Sequence, residues 1–270
     1  MRIELDFSKS VEQNAQGFFE KSKKAKKKLA GVVTARKHVQ EQLEKANAKA
    51  SAASERMRIV QKRKKEWFEK FHWAFTSDGL LIIGGRDAKS NEQIIKKFFE
   101  KDDLFFHADI FGAPHCVLKS NGKSFSQIAK QEAAQFAGVF SKAWESGSAN
   151  VDVYSAMPDQ VTKTAPTGES IGKGAFMVYG KREWFRGVLL EWTVGLEKIE
   201  GGFRVVSGSN QAVSKTAEVF AGLVPGEAEK SRIAKQLLSF FEKKTGEKLS
   251  VLLLDELLAH IPNGKTRGVV

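Results

Sequence analysis

Between residues 84 and 92 the chain reads Gly-Gly-Arg-Asp-Ala-Lys-Ser-Asn-Glu. Two glycines after an apolar run free the backbone for a tight turn, and a helix is predicted from about Asn91 onward. At that junction Arg86 can reach a phosphate, and the exposed N–H groups of a helix start favour anions. The alternative is an Arg86–Asp87 pair that braces the turn. A second candidate, Thr167 to Gly174 (TGESIGKG), approaches the phosphate-binding pattern GxxxxGK[ST]. Thr167 stands where the first glycine belongs and Gly174 where the magnesium-binding hydroxyl belongs, which argues against a nucleotide-hydrolysing loop. What remains is a glycine-rich loop offering N–H groups and Lys173 to an isolated phosphate.

His107, Asp109, His115 and Cys116 carry ligand-type side chains. On a strand His107 and Asp109 share a face, whereas the adjacent His115 and Cys116 point to opposite faces. No CxxC or HExxH spacing occurs, so no metal is expected and Cys116 is assigned to the core. No GxSxG nucleophile or Ser–His–acid set appears, and neither catalysis nor a cofactor is expected. Aromatic and basic residues interleave in Lys181-Arg182-Glu183-Trp184-Phe185-Arg186 and in Trp67-Phe68-Glu69-Lys70-Phe71-His72-Trp73. Such mixtures stack on bases and grip phosphate, although their aromatics equally serve as core.

The elements that must carry these groups fall into an arm and a mixed body. Residues 9–71 hold no proline, and apolar or small residues recur four and three apart: Val11, Ala15, Phe18, Ser22, Ala25, Leu29, Val32, then Val39, Leu43, Ala46 and onward to Trp67 and Phe71. That repeat predicts a basic coiled-coil arm over 1–71, either one helix needing a partner or a hairpin turning within Ala46–Ser54. From Trp73 the pattern becomes mixed. A hairpin is predicted around Ser77-Asp78-Gly79, a helix over 91–101 and two strands around Gly112-Ala113-Pro114. A helix capped by Ser126 follows over 124–146, then strands at 150–154, 174–179 and 188–196. After Gly201-Gly202 come strands at 202–208 and 218–224, the second ended by Pro225-Gly226. Helices are predicted at 210–216, 227–244 and 254–261, followed by a basic tail. The fold class is α+β: a largely antiparallel sheet with helices packed on it, over 72–200, and a C-terminal α/β extension over 201–270.

Charge is unevenly placed. Residues 1–71 hold 19 Lys/Arg against 9 Asp/Glu, leaving 25 against 23 in the remaining 199 of a chain whose net charge is +12. A concentrated positive segment steers a chain to polyanions by counterion release, and a lysine-rich solvated helix gives the same composition. One cysteine excludes an internal disulfide framework and suits a reducing compartment, and no apolar run reaches the ~18 residues of a membrane span. A cytoplasmic protein without membrane contact is expected.

Taken in order, these residues resemble the NFACT family of ribosome-quality-control factors, which includes the fibronectin-binding-protein A homologues. The resemblance runs from Trp67-Phe68-Glu69-Lys70-Phe71-His72-Trp73 through Gly84-Gly85-Arg86-Asp87-Ala88, His107-Ala108-Asp109, Gly112-Ala113-Pro114 and Asp152-Val153-Tyr154. It closes on Gln160-Val161 with Lys163, Gly168-Glu169 and Phe176 to Arg182. It covers about 120 residues and matches the family's RNA-binding domain. Residues 8–71 resemble the family's middle coiled coil, and LDELLAHIPNGKTRGVV resembles the end of archaeal members.

The resemblance implies binding to the obstructed large ribosomal subunit, through its rRNA or through tRNA, with other quality-control factors reached by the arm. Members usually begin with a larger N-terminal domain that selects tRNA. That part is not in this sequence, so tailing activity does not transfer; the chain is expected to be a fragment or a stand-alone module. The RNA-binding candidates are Arg86, Asp87, Asn91, His107, Asp109, Lys163, Lys173, Lys181 and Arg182, with arm phosphate contacts at Lys23, Lys24, Lys27, Lys62 and Arg63. Two other classes stay open: a scaffold whose seam pairs as a coiled-coil dimer, and an enzyme acting on nucleic acid through Asp87, His107 and Asp109.

Overall fold

The structure, a computed structural model, describes residues 4–59, 65–164, 171–200, 202–249 and 252–269. They divide into two compact units, residues 1–61 and 62–270. The first is one helix, α1 (Val11–Ile59), of 49 residues, about 75 Å at the α-helical rise. No turn interrupts Ala46–Ser54, because alanine is the best helix former and nothing there stops propagation. Gly17 and Gly31 are accommodated, at about 1 kcal/mol each relative to alanine. Along α1 the seam residues Leu29, Val32, Val39 and Leu43 are exposed, as are Lys23, Lys24 and Lys27. Lys62 and Arg63 lie outside the described residues.

The periodicity that runs on to Phe71 overextends the arm. Residues 67–70 form a 3-10 turn, and Phe68 and Phe71 are buried with Trp73, Leu81, Ile83 and Ile94 in the second unit. Aromatic residues at helical spacing fit either assignment; burial decides for the body.

That unit starts with β1 (His72–Phe75) and β2 (Leu81–Gly84), a hairpin closed by Gly79 at a φ of 77°. After it come α2 (Ala88–Lys97), β3 (Leu104–Ala108), β4 (Cys116–Leu118), α3 (Gln127–Val139) and α4 (Lys142–Glu145). The predicted 124–146 helix is broken at Phe140–Ser141, where the Ser141 hydroxyl accepts from Ala143 N–H and starts α4; Ser126 caps α3 as expected. Next are β5 (Asn150–Ala156), the short β6 (Val161–Thr162) and β7 (Met177–Val178), then β8 (Glu183–Leu189). The sheet order is β1-β2-β4-β3-β5-β8, all pairs antiparallel.

Alternation along these strands sorts the sheet into two faces. Ala74, Ile82, Phe106, Cys116, Leu118, Val153 and Phe185 pack toward α3, where Ala129, Ala133, Phe136 and Ala137 are fully buried. Trp73, Ile83, Val117, Phe105 and Tyr154 face the other way, toward Ile94, Ile95, Phe98 and Phe99 of the α2 segment.

The remaining elements are β9 (Trp192–Ile199), β10 (Gly202–Gly208), α5 (Asn210–Val213), β11 (Val219–Ala228), α6 (Lys230–Thr245), α7 (Leu252–His260) and β12 (Thr266–Val269). They form a second sheet, β10-β9-β11-β12. The strand predicted at 188–196 is thus two strands, parted at Leu190-Glu191 as the chain leaves one sheet for the other. A boundary at residue 200 would cut the β9–β10 hairpin, in which Ile199 pairs with Gly202. One apolar core joins both sheets, so 201–270 is no appendage. Pro225-Gly226 does not end β11 but forms a bulge within it, opposite the basic tail, which is itself a strand. Trp144 ties that tail down, donating from Nε1 to Thr266 Oγ1 at 3.0 Å. No helix among the described residues is long and apolar enough to cross a membrane.

Candidate nucleic-acid interface

Antiparallel pairing sets side chains in rows across a sheet. Trp184 on β8 lies opposite Tyr154 on β5, and Tyr154 opposite His107 on β3. Continuing the register of Phe106 with Cys116 brings His115 beside His107. The ring centroids follow at 5.4, 5.8 and 5.3 Å, making one aromatic row Trp184–Tyr154–His107–His115. Cations lie along it. The Arg186 guanidinium sits 3.9 Å above the Trp184 ring and that of Arg182 4.4 Å above Tyr154. Phe176 closes on His115 at 5.4 Å, with Lys163 Nζ 4.9 Å from its own ring. Arg182 is held by donating from Nη2 to the Val178 carbonyl, and Arg186 by an ion pair with Asp152 at 2.6 Å.

The row has an open and a closed end. Trp184 and Arg186 are exposed, with Tyr179 and Lys181 nearby on the chain, whereas Tyr154 and His115 are buried under Arg182 and Phe176. Burial is the main cause of the perturbed titrations. It raises the Tyr154 phenol and lowers His107, for which the carbonyls of Ala108 and Ala113 and the charge of Asp109 are smaller opposing influences. Burial, with the charges of His107 and Lys163, lowers His115 to about 3. Among the described residues the His115 Nδ1 has no hydrogen-bond partner. At neutral pH the histidines of the row present uncharged π faces, and the positive charge is carried by arginine and lysine.

The pH dependence of stability follows. His115 and the buried His72, also lowered to about 3 and chiefly by burial, are neutral when folded and take up protons readily when unfolded. Their contribution is full above the ordinary histidine value near 6.5 and falls as pH drops from there toward 3. At pH 5 the loss is expected to reach about 2 kcal/mol for each ring. Urea midpoints at pH 7 and pH 5, compared with those of His115→Phe, check this: the variant should lose less on acidification.

The Arg86–Asp87 junction differs from the anion site expected of it. Asp87 caps α2 by accepting from Ser90 N–H at 2.7 Å, and Ser90 Oγ accepts from the N–H groups of Arg86 and Asp87. The helix start already holds a carboxylate of its own, in the place an external anion would take. No Arg86–Asp87 ion pair forms among the described residues; Arg86 instead donates from Nη2 to the Phe71 carbonyl at 3.0 Å. Asn91 is also structural: its Oδ1 accepts from His115 N–H at 3.0 Å and fills the space over Gly85, where any Cβ would collide with it.

Asp109 is exposed at the end of β3, its N–H bonded to the Asp152 carbonyl. Gly174, at a φ of 78°, lies against Ala88 with its N–H on Glu92, which also meets Lys163 at 3.6 Å. Lys173 beside it is exposed, and residues 167–170 of the loop lie outside the described residues. Cys116 points into the core, where burial pushes its thiol up. No group of three His, Cys, Asp or Glu among the described residues could hold a metal.

Of the sequence candidates, then, His107, Lys163 and Arg182 come together on the row. Lys173 and Lys181 lie exposed, Asp87 and Asn91 shape the backbone, and Arg86 stands apart. Tyr154, Trp184, Arg186, His115 and Phe176 were missed as a set. The period-two spacing of Arg182, Trp184 and Arg186 carries a signal for three row residues on one face, with Phe185 on the other.

Residues 70–180 match the model of the NFACT protein RNA binding domain. The chain belongs to the NFACT family. It is similar to the archaeal Rqc2 homolog aRqcH of Methanocaldococcus jannaschii, 37% identical over 67% of this chain and 27% of the relative. It is similar also to the Drosophila melanogaster homolog of the ribosome quality control complex subunit NEMF, 34% identical over 74% of this chain and 20% of that protein. This NFACT chain therefore spans between a fifth and about a quarter of those relatives' length. Among solved structures it is similar to the C-terminal part of the fibronectin/fibrinogen-binding protein of Streptococcus suis, at 24% identity and a TM-score of 0.38, covering 67% of this chain and 77% of that one. The row lies partly within the matched residues; Arg182, Trp184 and Arg186 lie just beyond them.

Proposed function

We propose that this chain is the RNA-binding part of a ribosome-quality-control factor, a non-catalytic module that holds the obstructed large ribosomal subunit, tRNA backbone, or both, in the cytoplasm. The observation that carries the reading is the row itself: exposed Trp184 under Arg186, continuing to Tyr154 under Arg182. Aromatic faces alternating with guanidinium groups suit an unpaired base and its flanking phosphates. Lys173 and Lys181 extend the positive surface, and Lys23, Lys24, Lys27, Lys62 and Arg63 give the arm phosphate contacts along ribosomal RNA. The name of the Drosophila relative, a homolog of a ribosome quality control complex subunit, supports the setting. Cosedimentation with large subunits carrying peptidyl-tRNA tests it. Binding should weaken as salt rises, and crosslinks should map to Trp184 and to the lysine run of the arm; salt-independent binding would refute it.

A second reading attaches to the arm. Its exposed apolar seam, with Leu29 at 66% and Leu43 at 59% exposure, suits pairing with a second helix, in another factor or another copy of the chain. A dimer should appear with rising concentration by light scattering and be lost in Leu29→Lys combined with Leu43→Lys. A monomer at every concentration would exclude self-pairing.

A further inference from the structure

Past the end of β3 the chain makes a tight turn, Ile110-Phe111-Gly112-Ala113, that holds one aromatic side chain out in solvent. Ala113 N–H donates to the Ile110 carbonyl at 3.4 Å, and Gly112 has a φ of 78°. A type II turn asks for a left-handed residue in its third place, so glycine stands there and Phe111 takes the second. Both flanks are anchored: Ala113 is buried in the core and Ile110 packs against it. Phe111 between them is 91% exposed. A lone exposed apolar side chain needs no special explanation. This one is fixed on both sides, and it has a cation beside it. Lys142, the first residue of α4, lays its stem across Gly112, where an added Cβ would sit 3.0 Å from Lys142 Cε. Lys142 is exposed, and among the described residues it has no carboxylate within ion-pair distance.

The turn is tied to the open end of the aromatic row. Asp109 N–H donates to the Asp152 carbonyl at 2.8 Å. The Asp152 carboxylate in turn accepts from Arg186 Nη1 at 2.6 Å and from Gly187 N–H at 2.8 Å, and Arg186 lies over Trp184. Only β5 separates β3 from β8, about 10 Å at the usual strand spacing. The turn therefore repeats the composition of the row's open end, an exposed aromatic ring with a cation beside it. We propose that Phe111 is a second stacking platform for an unpaired RNA base, and that Lys142 meets the phosphate next to that base. This contact rests on the RNA-binding reading above and extends it: one single strand engages Trp184 and Arg186 and then the turn beyond β3. Exposed Asp109 precedes the turn and repels phosphate, whereas the Lys142 stem lies on the limb after Phe111, where a phosphate is favoured. A phenyl ring stacks on any base, so the contact adds affinity for unpaired RNA without choosing a sequence.

The test is the affinity of the full chain for a labelled single-stranded RNA, read by fluorescence anisotropy at several salt concentrations. Phe111→Ala should weaken binding about tenfold, and Phe111→Leu by a similar factor, since leucine keeps the apolar bulk but has no π face. Phe111→Tyr should keep the wild-type affinity. Lys142→Met should reduce the slope of log affinity against log salt by about one, and Phe111→Ala should leave that slope unchanged. Because the Phe111 side chain is almost wholly in solvent, its variants should unfold at the wild-type urea midpoint. Wild-type affinity in Phe111→Ala together with weakened binding in Trp184→Ala overturns the second platform and leaves the row standing. Wild-type affinity in Phe111→Leu alone identifies an apolar contact of the kind a protein partner makes, and overturns base stacking. Weakened binding in Phe111→Ala with wild-type affinity in Trp184→Ala removes the row and keeps the turn as a base platform.

Discussion

Trp184→Ala is expected to weaken binding of single-stranded RNA about tenfold, the loss of one base–aromatic stack of about 1–3 kcal/mol. Trp184 lies on β8, the edge strand of its sheet, and is 37% exposed, so the change should leave the fold intact. Its ring supports the Arg186 guanidinium, which keeps its ion pair with Asp152 in the variant. Adding Arg182→Gln removes the cation over Tyr154, and a second loss of similar size should follow. The two changes separate by salt. Trp184→Ala should leave the slope of log affinity against log salt unchanged, whereas Arg182→Gln should reduce it by about one if that residue meets a phosphate. Fluorescence anisotropy with a labelled oligonucleotide at several salt concentrations reads both. Wild-type affinity in the double variant would remove the row from RNA binding altogether.

Lys119→Met is expected to destabilise the second unit by about 3–5 kcal/mol, because it strands a buried charge. Asp103 is fully buried and bonded to Lys119 Nζ at 2.6 Å, as well as to the N–H groups of Ser120 and Glu100. The same ammonium donates to the Phe98 carbonyl at 2.8 Å, fastening the end of α2 to β4. Exposed Glu100, 3.2 Å from the ammonium, adds little through solvent. Adding Asp103→Asn to Lys119→Met removes the stranded charge and should recover part of the loss. Urea unfolding followed by tryptophan fluorescence measures both variants; a loss under about 1 kcal/mol for Lys119→Met would contradict the buried pair.

The distinction between local and long-range contacts explains what was legible. The β1–β2 turn at Gly79 and the Ser126 cap are local features, set by backbone preference and by a side chain bonding its own helix start. The arm's helix follows from composition in the same way. Its end does not: Trp67 and Phe71 continue the helical period, but Phe71 is packed against Phe98, far along the chain. The bulge at Pro225-Gly226 was read as a stop because proline cannot donate to a ladder; its partner, β12, lies some forty residues on.

The candidate site divides similarly. Sequence by itself determined the residue types, the net charge of +12 concentrated in the arm, and the NFACT resemblance. Only the tertiary structure decided which strands lie side by side, and therefore that Trp184, Tyr154, His107 and His115 make one row. It also turned Asp87 and Asn91 from ligand candidates into backbone supports, and set the Arg86 guanidinium against the Phe71 carbonyl. The reason is that strand register and burial are fixed by contacts between segments distant in sequence. Charge and period describe each segment alone.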